Sequence, residues 1–245
     1  MWKKTLLLLG LSLNAEAYNL TADFTNGFYW MSLPINVTVI ETADTARKAK
    51  LENLAKQAIG EWESRTGLSL WDFTTAATSN VIRWSTNFAA ETNMDPSTVL
   101  AVAIRYTQGP YFARTEIVIN GGHYLNASTN NLLTTITHEL GHTMGLDHSN
   151  NMQALMAPTL QVPYYGLHSD DISGMKQADS ITQDRQLTGY ISPLSYSKSS
   201  SSSSGMSCAT VSTATAPSAS GIISLGAGLL MGFLKKILNW FKSLF

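Results

Sequence analysis

Three histidines, a glutamate and a glycine within one stretch of eleven residues constrain this chain more than any other feature of its sequence. The stretch runs from His138 to His148, with Glu139 beside the first histidine and Gly145 between His142 and the last one. Apolar residues before and within it recur at helical spacing, so His138 and His142 are predicted to project from one side of a helix, one turn apart. A fold for this chain must bring these imidazoles together.

The residue types in this stretch indicate metal chemistry. Two neutral imidazoles at this spacing can both bind one Zn²⁺ at about 2.0 to 2.1 Å. Gly145 can adopt the left-handed conformation that ends a helix, and the turn then brings His148 round as a third ligand. Three protein ligands leave a fourth position for water, which is typical of a catalytic zinc, and Glu139 can act on that water as general base. Hydrogen-bonded core histidines are the simpler alternative, but they do not explain the whole pattern.

The rest of the composition limits the alternatives. Cys208 is the only cysteine, so an intramolecular disulfide, a four-cysteine zinc site and an iron–sulfur cluster are all excluded. The formal net charge of −1 argues against a nucleic-acid binder. That charge is unevenly distributed, because residues 18–193 carry a net −6 and residues 194–245 a net +4. We therefore expect an acidic body with a basic tail.

The two ends of the chain are predicted to lie outside the folded body. Residues 1–17 combine two lysines, an apolar run and a small-residue cleavage site, which predicts a secretory signal and a secreted, cell-surface or periplasmic protein of bacterial type. Residues 194–220 are rich in Ser, Thr and Ala and are predicted to form a flexible linker. Residues 221–245 predict a basic amphipathic helix that could contact a membrane surface, serve as a sorting signal removed on export, or dock to a partner.

Residues 18–193 are predicted to form one α/β domain, and we expect it to be monomeric. Apolar residues at helical spacing predict a helix from Leu51 to Trp62 that stops at Gly67. Residues 121–122 are predicted to form a turn after the last strand. The predicted strands are Ile35–Val39, Asn80–Ser85, Val99–Thr107 and Arg114–Asn120.

The histidine stretch resembles the HExxHxxGxxH motif of the metzincins, and Met156 follows it in a segment similar to the Met-turn of the matrixin branch. Weaker similarity to matrixins is present at residues 58–62, 68–70 and 169–174. The resemblance covers roughly residues 18–190. It implies an α/β (α+β) metzincin fold: a twisted mixed sheet with two long helices, a zinc cleft, and a small C-terminal subdomain with the Met-turn and one helix.

The resemblance also implies roles for individual residues. Met156 would form the hydrophobic floor beneath the zinc. Pro158, Tyr164 and Tyr165 would belong to the wall of the pocket that receives the side chain after the scissile bond, and Pro158 stands where astacins and serralysins have a tyrosine that can bind zinc. An extended polypeptide could add as an antiparallel strand to the edge strand above the cleft. That edge would include Val99, Leu100, Ala101, Val102 and Ala103.

Other metal sites are less well supported by the sequence. Many matrixins hold a second, structural zinc through further histidines, but only His123 and His168 remain here, and both are expected to be ordinary turn or surface residues. Calcium is a weaker expectation, since the available oxygen ligands match no defined calcium loop. The candidates for it are Asp95, Asn120 and Asn126.

The segment that begins at Ser169 is predicted to start a helix, with Ser169 as its N-cap. Asp170 and Asp171 follow, and acidic residues stabilise a helix N-terminus. The resemblance implies in addition that one of these carboxylates could pair with the α-amino group of Tyr18 after removal of the signal.

The leading hypothesis is an exported zinc-dependent endopeptidase that hydrolyses peptide bonds within polypeptides. A rival is a non-catalytic surface module that uses the zinc-containing fold to bind a protein or polysaccharide. Retention of Glu139 favours the enzyme, because binding alone needs no general base. A narrow aminopeptidase-like or self-processing enzyme is a third alternative.

Overall fold

A computed structural model describes residues 17–124, 128–159, 166–196 and 204–210 of the chain. The chain divides into two units, residues 1–213 and residues 214–245. The second unit and the greater part of the predicted signal lie outside the described residues, as does the predicted amphipathic segment 221–245. Within the described ranges, no helix has the length and apolar character needed to cross a bilayer.

The first unit contains nine described strands and six described α-helices, with a short 3₁₀ helix at Pro193–Tyr196. The strands are β1 (Asn19–Leu20), β2 (Tyr29–Trp30), β3 (Ile35–Ile40), β4 (Trp71–Phe73), β5 (Asn80–Ser85), β6 (Val99–Gln108), β7 (Tyr111–Asn120), β8 (Leu146–Asp147) and β9 (Ser204–Thr210). The helices are α1 (Ala22–Thr25), α2 (Thr45–Thr66), α3 (Phe88–Thr92), α4 (Gly121–Tyr124), α5 (Thr129–Thr143) and α6 (Ser169–Thr188).

One seven-stranded sheet organises the unit, with the order β4-β3-β5-β7-β6-β9 and with β2 beside β7. The pairs β4–β3, β3–β5, β5–β7 and β2–β7 are parallel, whereas β6 is antiparallel to both β7 and β9. A separate two-stranded sheet joins β1 to β8 in antiparallel register. The predicted mixed α/β architecture is confirmed, with a sheet that is mostly parallel.

The strand and helix predictions agree closely with the structure, but their boundaries differ. Asn80–Ser85 is the strand as predicted, and the helix predicted from Leu51 extends over Thr45–Thr66. β7 begins at Tyr111, three residues before the predicted start. The turn predicted at residues 121–122 is wrong in detail, because the chain enters the one-turn helix α4 there.

Three buried tryptophans attach α5 to the elements around it. The indole N–H of Trp62 on α2 donates to the carbonyl oxygen of Thr137 at 2.8 Å. Trp30 donates to the carbonyl oxygen of Thr143 at 2.9 Å, and Trp71 donates to the hydroxyl of the same threonine at 3.0 Å. Each of these buried bonds contributes about 1 kcal/mol, and together they fix α5 against both the sheet and α2.

Part of the predicted flexible linker, residues 194–220, differs from the expectation. Residues Ser204–Thr210 form β9, which pairs with residues 99–106 of β6. The linker was expected to be flexible because its low apolar content leaves little apolar surface to bury on ordering. The pairing needs only backbone donors and acceptors, and the outer edge of β6 supplies them whatever the side chains of the incoming strand are.

Candidate metal centre

Three histidine side chains meet at one end of α5. One ring nitrogen of each of His138, His142 and His148 lies within 4.8 Å of the other two, so the three could hold a single metal ion. The centroids of the His138 and His142 rings are 4.7 Å apart, and the His148 ring lies 5.4 Å and 5.0 Å from them. The three imidazoles that the sequence predicted to meet therefore lie together in the structure.

Hydrogen bonds at the far side of two rings set which nitrogen faces the cluster. Nδ1 of His138 lies 2.7 Å from the carbonyl oxygen of Leu155, and Nδ1 of His142 lies 2.7 Å from that of Leu146. A carbonyl oxygen can only accept, so in both rings Nδ1 carries the proton and Nε2 holds the lone pair. Within the described part of the chain, Nε2 of His138 and of His142 is buried without a hydrogen-bond partner. These buried lone pairs are what a divalent cation requires.

Burial also keeps these two imidazoles neutral. It lowers the pKa of His138 to about 3, and the charge of His148 acts in the same direction. It likewise lowers the pKa of His142 well below the ordinary value, with further contributions from the two neighbouring histidines and Arg105. Only a neutral imidazole can bind a metal, so the surroundings favour the form that Zn²⁺ requires.

The turn after α5 delivers His148 and is clamped by the N-terminal strand. Gly145 has φ +100°, a conformation that L side chains rarely adopt, and its carbonyl oxygen accepts from the backbone N–H of Thr21 at 2.8 Å. Asn19 of β1 pairs with Asp147 of β8, and its side-chain amide donates to the carbonyl oxygen of His148 at 2.7 Å. The start of the domain therefore holds the third histidine in place.

Glu139 follows His138 on α5, and its side chain is fully buried. Tyr124 lies close to it: burial raises the pKa of Tyr124, and the charge of Glu139 raises it further. The Tyr124 hydroxyl also shares a hydrogen bond with that of Thr135 on α5. Sequence reasoning missed Tyr124, whose position two residues after the paired glycines gave no periodic or motif signal.

Met156 lies directly against α5. It is buried, and a Cβ at position 141 would lie only 2.5 Å from its Sδ, so a larger residue there would require the methionine side chain to shift. The carboxylate of Asp171 accepts from the backbone N–H groups of Leu155 and Met156 at 2.8 and 2.9 Å. Burial raises the pKa of Asp171, although these backbone donors oppose the rise. Asp171 thus positions the carbonyl that orients His138.

A buried ion pair that was not predicted supports the C-terminal end of α5, where the histidines meet. Arg105 of β6 is 1% exposed. Its guanidinium donates to the carbonyl oxygen of His142. It also donates to both carboxylate oxygens of Asp23, at 2.8 and 3.0 Å. Burial alone would raise the pKa of Asp23, but the charge and hydrogen bonds of Arg105 lower it overall. An arginine within an apolar strand indicates that a buried acidic partner exists. The sequence could not identify that partner, because Asp23 lies 82 residues away.

The prediction of Ser169 as an N-cap is wrong. The N-cap of α6 is His168, whose Nδ1 accepts from the backbone N–H of Asp170 at 3.2 Å. The backbone N–H of His168 donates to the carboxylate of Asp171 at 2.7 Å. An imidazole nitrogen serves the capping role that is usual for a hydroxyl or carboxylate. The carboxylate of Asp170 accepts from the backbone N–H of Ala17 at 3.0 Å, one residue before the predicted new N-terminus, Tyr18.

The residues expected to bind substrate are only partly described. Residues 99–103 are buried in β6, and the backbone of this strand is paired with both β7 and β9. Pro158 is half-buried after Met156, and Tyr164 and Tyr165 lie outside the described residues.

Two of the residues considered for calcium, Asp95 and Asn120, use their side chains in hydrogen bonds with nearby residues. The Asp95 carboxylate accepts from the backbone and hydroxyl of Ser97 at 2.9 and 2.7 Å. The side-chain amide of Asn120 donates to the carbonyl oxygens of Pro96 and Val99 at 2.8 and 2.7 Å. Asn126 lies outside the described residues. The described contacts thus give these side chains a structural role in the loop.

The fold and the histidine cluster define a mixed α/β domain that can hold a metal ion at one end of a helix. The family model of the matrixins, peptidase family M10, matches residues 29–178. The chain belongs to the matrixin family.

Matrix metalloproteinases are among the curated relatives. The chain is 25% identical over 179 residues to matrix metalloproteinase-C of Caenorhabditis elegans, an alignment that covers 66% of this chain and 30% of the relative. It is 47% identical over 51 residues to human matrix metalloproteinase-15, covering 20% of this chain and 8% of the relative. It is 45% identical over 49 residues to rabbit macrophage metalloelastase, covering 19% and 11%. The chain thus matches less than a third of the length of each of these proteins.

Proposed function

We propose that this chain is an exported zinc-dependent endopeptidase in which His138, His142 and His148 bind the metal and Glu139 is the general base. The observation that carries the proposal is the convergence of three imidazoles, two of which direct buried Nε2 lone pairs into the cluster, beside a buried carboxylate. Each unmade hydrogen bond of a buried polar group costs about 1 to 3 kcal/mol. A purely structural role would therefore not explain why these lone pairs are buried together.

The proposed mechanism assigns each group a separate task. Bound Zn²⁺ supplies Lewis acidity, which lowers the pKa of a water to about 7 and polarises the scissile carbonyl. Glu139 accepts a proton from the attacking water and passes it to the leaving amine. The carbonyls of Leu155 and Leu146 keep the two helical imidazoles oriented and neutral at Nε2. Met156 packs against α5 and forms the apolar floor of the site, as in a Met-turn.

Substrate binding is proposed to use the edge of the sheet. Residues 99–103 would pair with an extended polypeptide, while Pro158, Tyr164 and Tyr165 would form the wall of the pocket after the scissile bond. Because β6 is the antiparallel strand next to α5, a polypeptide along its outer edge would lie beside the helix that carries Glu139.

The proposed organisation of the chain follows the sequence. Residues 1–17 are removed on export, residues 18–193 form the catalytic domain, and residues 221–245 contact a membrane surface, sort the protein or dock to a partner. The family relationship to extracellular matrix metalloproteinases and the signal-like N-terminus support export. The intact mass of the exported protein tests both ends.

Replacement of Glu139 by glutamine tests the assigned chemistry. Glu139→Gln keeps the size of the side chain but removes its basicity, so we expect zinc content to be unchanged and kcat/KM on casein-derived peptides to fall by about 10² to 10⁴. Glu52→Gln is the matched control, since Glu52 is a partly exposed residue of α2, a different helix, and forms a 3.9 Å ion pair with Lys48. Its activity should equal that of the unmodified chain.

Two outcomes would contradict the proposal. Full activity of Glu139→Gln would remove the general base, and activity that survives chelation would remove the metal. A zinc-loaded chain that cleaves no member of a diverse peptide library, yet binds a protein or polysaccharide, would support the binding module instead.

A further inference from the structure

The chain's own linker occupies the outer edge of β6. β9 pairs antiparallel with this strand, from Ser204 opposite Tyr106 to Thr210 opposite Val99. It also contacts α5, the helix that carries Glu139 and two of the three histidines. The segment therefore lies along the edge, and beside the helix, that an extended polypeptide substrate would use.

The register of this pairing changes at one end. The ladder is regular from Tyr106 to Ala101, which is opposite Ala209, and it then shifts so that Val99 is opposite Thr210. Such bulges terminate or redirect pairing and are frequent next to active sites. The extra residue of this bulge is Leu100 of β6, and the bond between Ala209 and Thr210 lies opposite it.

The connection to the folded body makes this pairing intramolecular. The 3₁₀ helix ends at Tyr196, and the seven residues 197–203 precede β9. Seven residues span at most about 25 Å when fully extended, so β9 stays within about that distance of the end of the 3₁₀ helix. A short tether of this kind gives an effective concentration of about the millimolar range, which a free polypeptide substrate reaches only when abundant.

We propose that β9 is a substrate of the chain's own active site, cut in cis. This rests on the proposed function. Hydrolysis consumes one water and breaks one C–N bond, and the bulge points to the bond between Ala209 and Thr210. The water oxygen becomes part of the new carboxylate of Ala209, and Glu139 transfers the water proton to the nitrogen of Thr210, which leaves as an amine. The reaction separates the catalytic body from residues 210–245, whereas residues 204–209 stay attached to the body and are held on β6 by a shortened strand that another polypeptide can displace.

The test follows the fate of the full chain after zinc is added. The protein is purified in chelator, and Zn²⁺ starts the reaction, which is followed by intact mass and N-terminal sequencing. We expect a new N-terminus within β9, at Thr210, with a first-order rate that does not change with protein concentration. Glu139→Gln, loaded with the same metal, should remain whole.

Two variants with paired prolines test whether the strand delivers the bond. Neighbouring residues of a strand direct their N–H groups to opposite sides, so Ser207→Pro with Cys208→Pro removes one donor to β6 whichever residue supplies it. We expect self-cleavage to slow by about tenfold or more, with kcat/KM on a short independent peptide equal to or above that of the unmodified chain. Ser201→Pro with Ser202→Pro, before the strand, is the matched control and should leave the self-cleavage rate within about twofold.

The outcomes are distinct from those that test the proposed function. A chain that cleaves the independent peptide but leaves β9 whole overturns this inference alone, and a faster peptide rate in the Ser207 and Cys208 variant would then make β9 an inhibitor. Cleavage whose rate rises in proportion to protein concentration, or at sites outside 204–210, also overturns it. A zinc-loaded chain that cleaves neither β9 nor any peptide overturns both proposals.

Discussion

Gly145 forms the turn that brings His148 to the proposed metal site, and replacing it by alanine should weaken the fold and the site together. Its φ of +100° is unfavourable for alanine, and conformations of this kind cost about 1 to 2 kcal/mol. A Cβ at this position would also lie 2.5 Å from Cδ2 and 2.7 Å from Cγ of Phe24, which is completely buried in the core. Overpacking of this type costs about 1 to 3 kcal/mol more.

We therefore expect Gly145→Ala to lower the free energy of unfolding by about 2 to 5 kcal/mol, measured by urea denaturation of the metal-free chain. Gly189→Ala separates the two contributions, because Gly189 also has a positive φ, +61°, but a Cβ there meets nothing within 4 Å. That control should show only the backbone cost, about 1 to 2 kcal/mol.

The same substitution should weaken zinc binding, since relief of the clash moves the chain between His142 and His148. We expect the Kd for Zn²⁺, measured by competition with a chelator, to rise at least tenfold in Gly145→Ala and to stay unchanged in Gly189→Ala. Equal losses of stability in the two variants would refute the steric reasoning. Unchanged zinc affinity in Gly145→Ala would show that His148 does not depend on this turn.

Three further predictions concern the supports of the site. Asp23→Asn leaves the buried guanidinium of Arg105 without its counter-charge, which should cost about 3 to 5 kcal/mol at neutral pH. Because the folded pKa of Asp23 is lowered, the advantage of the unmodified chain in urea unfolding should persist down to about pH 3.8 and shrink only below it. Asp171→Asn weakens the acceptor for the N–H groups of Leu155 and Met156 and should raise the Kd for Zn²⁺ about 10- to 100-fold; an unchanged Kd would exclude this support. Removal of Zn²⁺ from about a thousandfold excess over its Kd should cost about 4 kcal/mol, seen as a reversible fall in Tm, and a metal-independent Tm would contradict the site.

The helical half of the site could be predicted from the sequence because it is local. The spacing of His138 and His142 fixes their relative position on any α-helix, and Gly145 marks where the chain can leave it. Strands such as Asn80–Ser85 carried alternation or apolar runs that identify buried strands. These features depend on neighbours within a few residues.

The supports of the site could not be predicted, because they depend on distant partners. The two-residue strands β1 and β8 are too short for any periodicity, and the pairing of Arg105 with Asp23 joins residues 82 positions apart. His168 took the capping role expected of Ser169 because its ring nitrogen reached the first turn of α6. The sequence of β9 has no alternation of apolar and polar residues that would predict a strand. It forms a strand by pairing with the outer edge of β6.

The positions of the hydrogen bonds imply that metal binding would be coupled to the ordering of the backbone that follows α5. Nδ1 of His138 donates to Leu155 and Nδ1 of His142 donates to Leu146, so each helical imidazole is oriented by a carbonyl that follows the helix in sequence. Asp171 in turn holds Leu155 in place from α6. Bound Zn²⁺ would require that one ring orientation. It would therefore stabilise the backbone around Leu146 and Leu155 against local opening by the same free energy that this backbone contributes to zinc affinity. Order around Leu146 and Leu155 is thus a direct measure of how tightly the imidazoles would hold the metal.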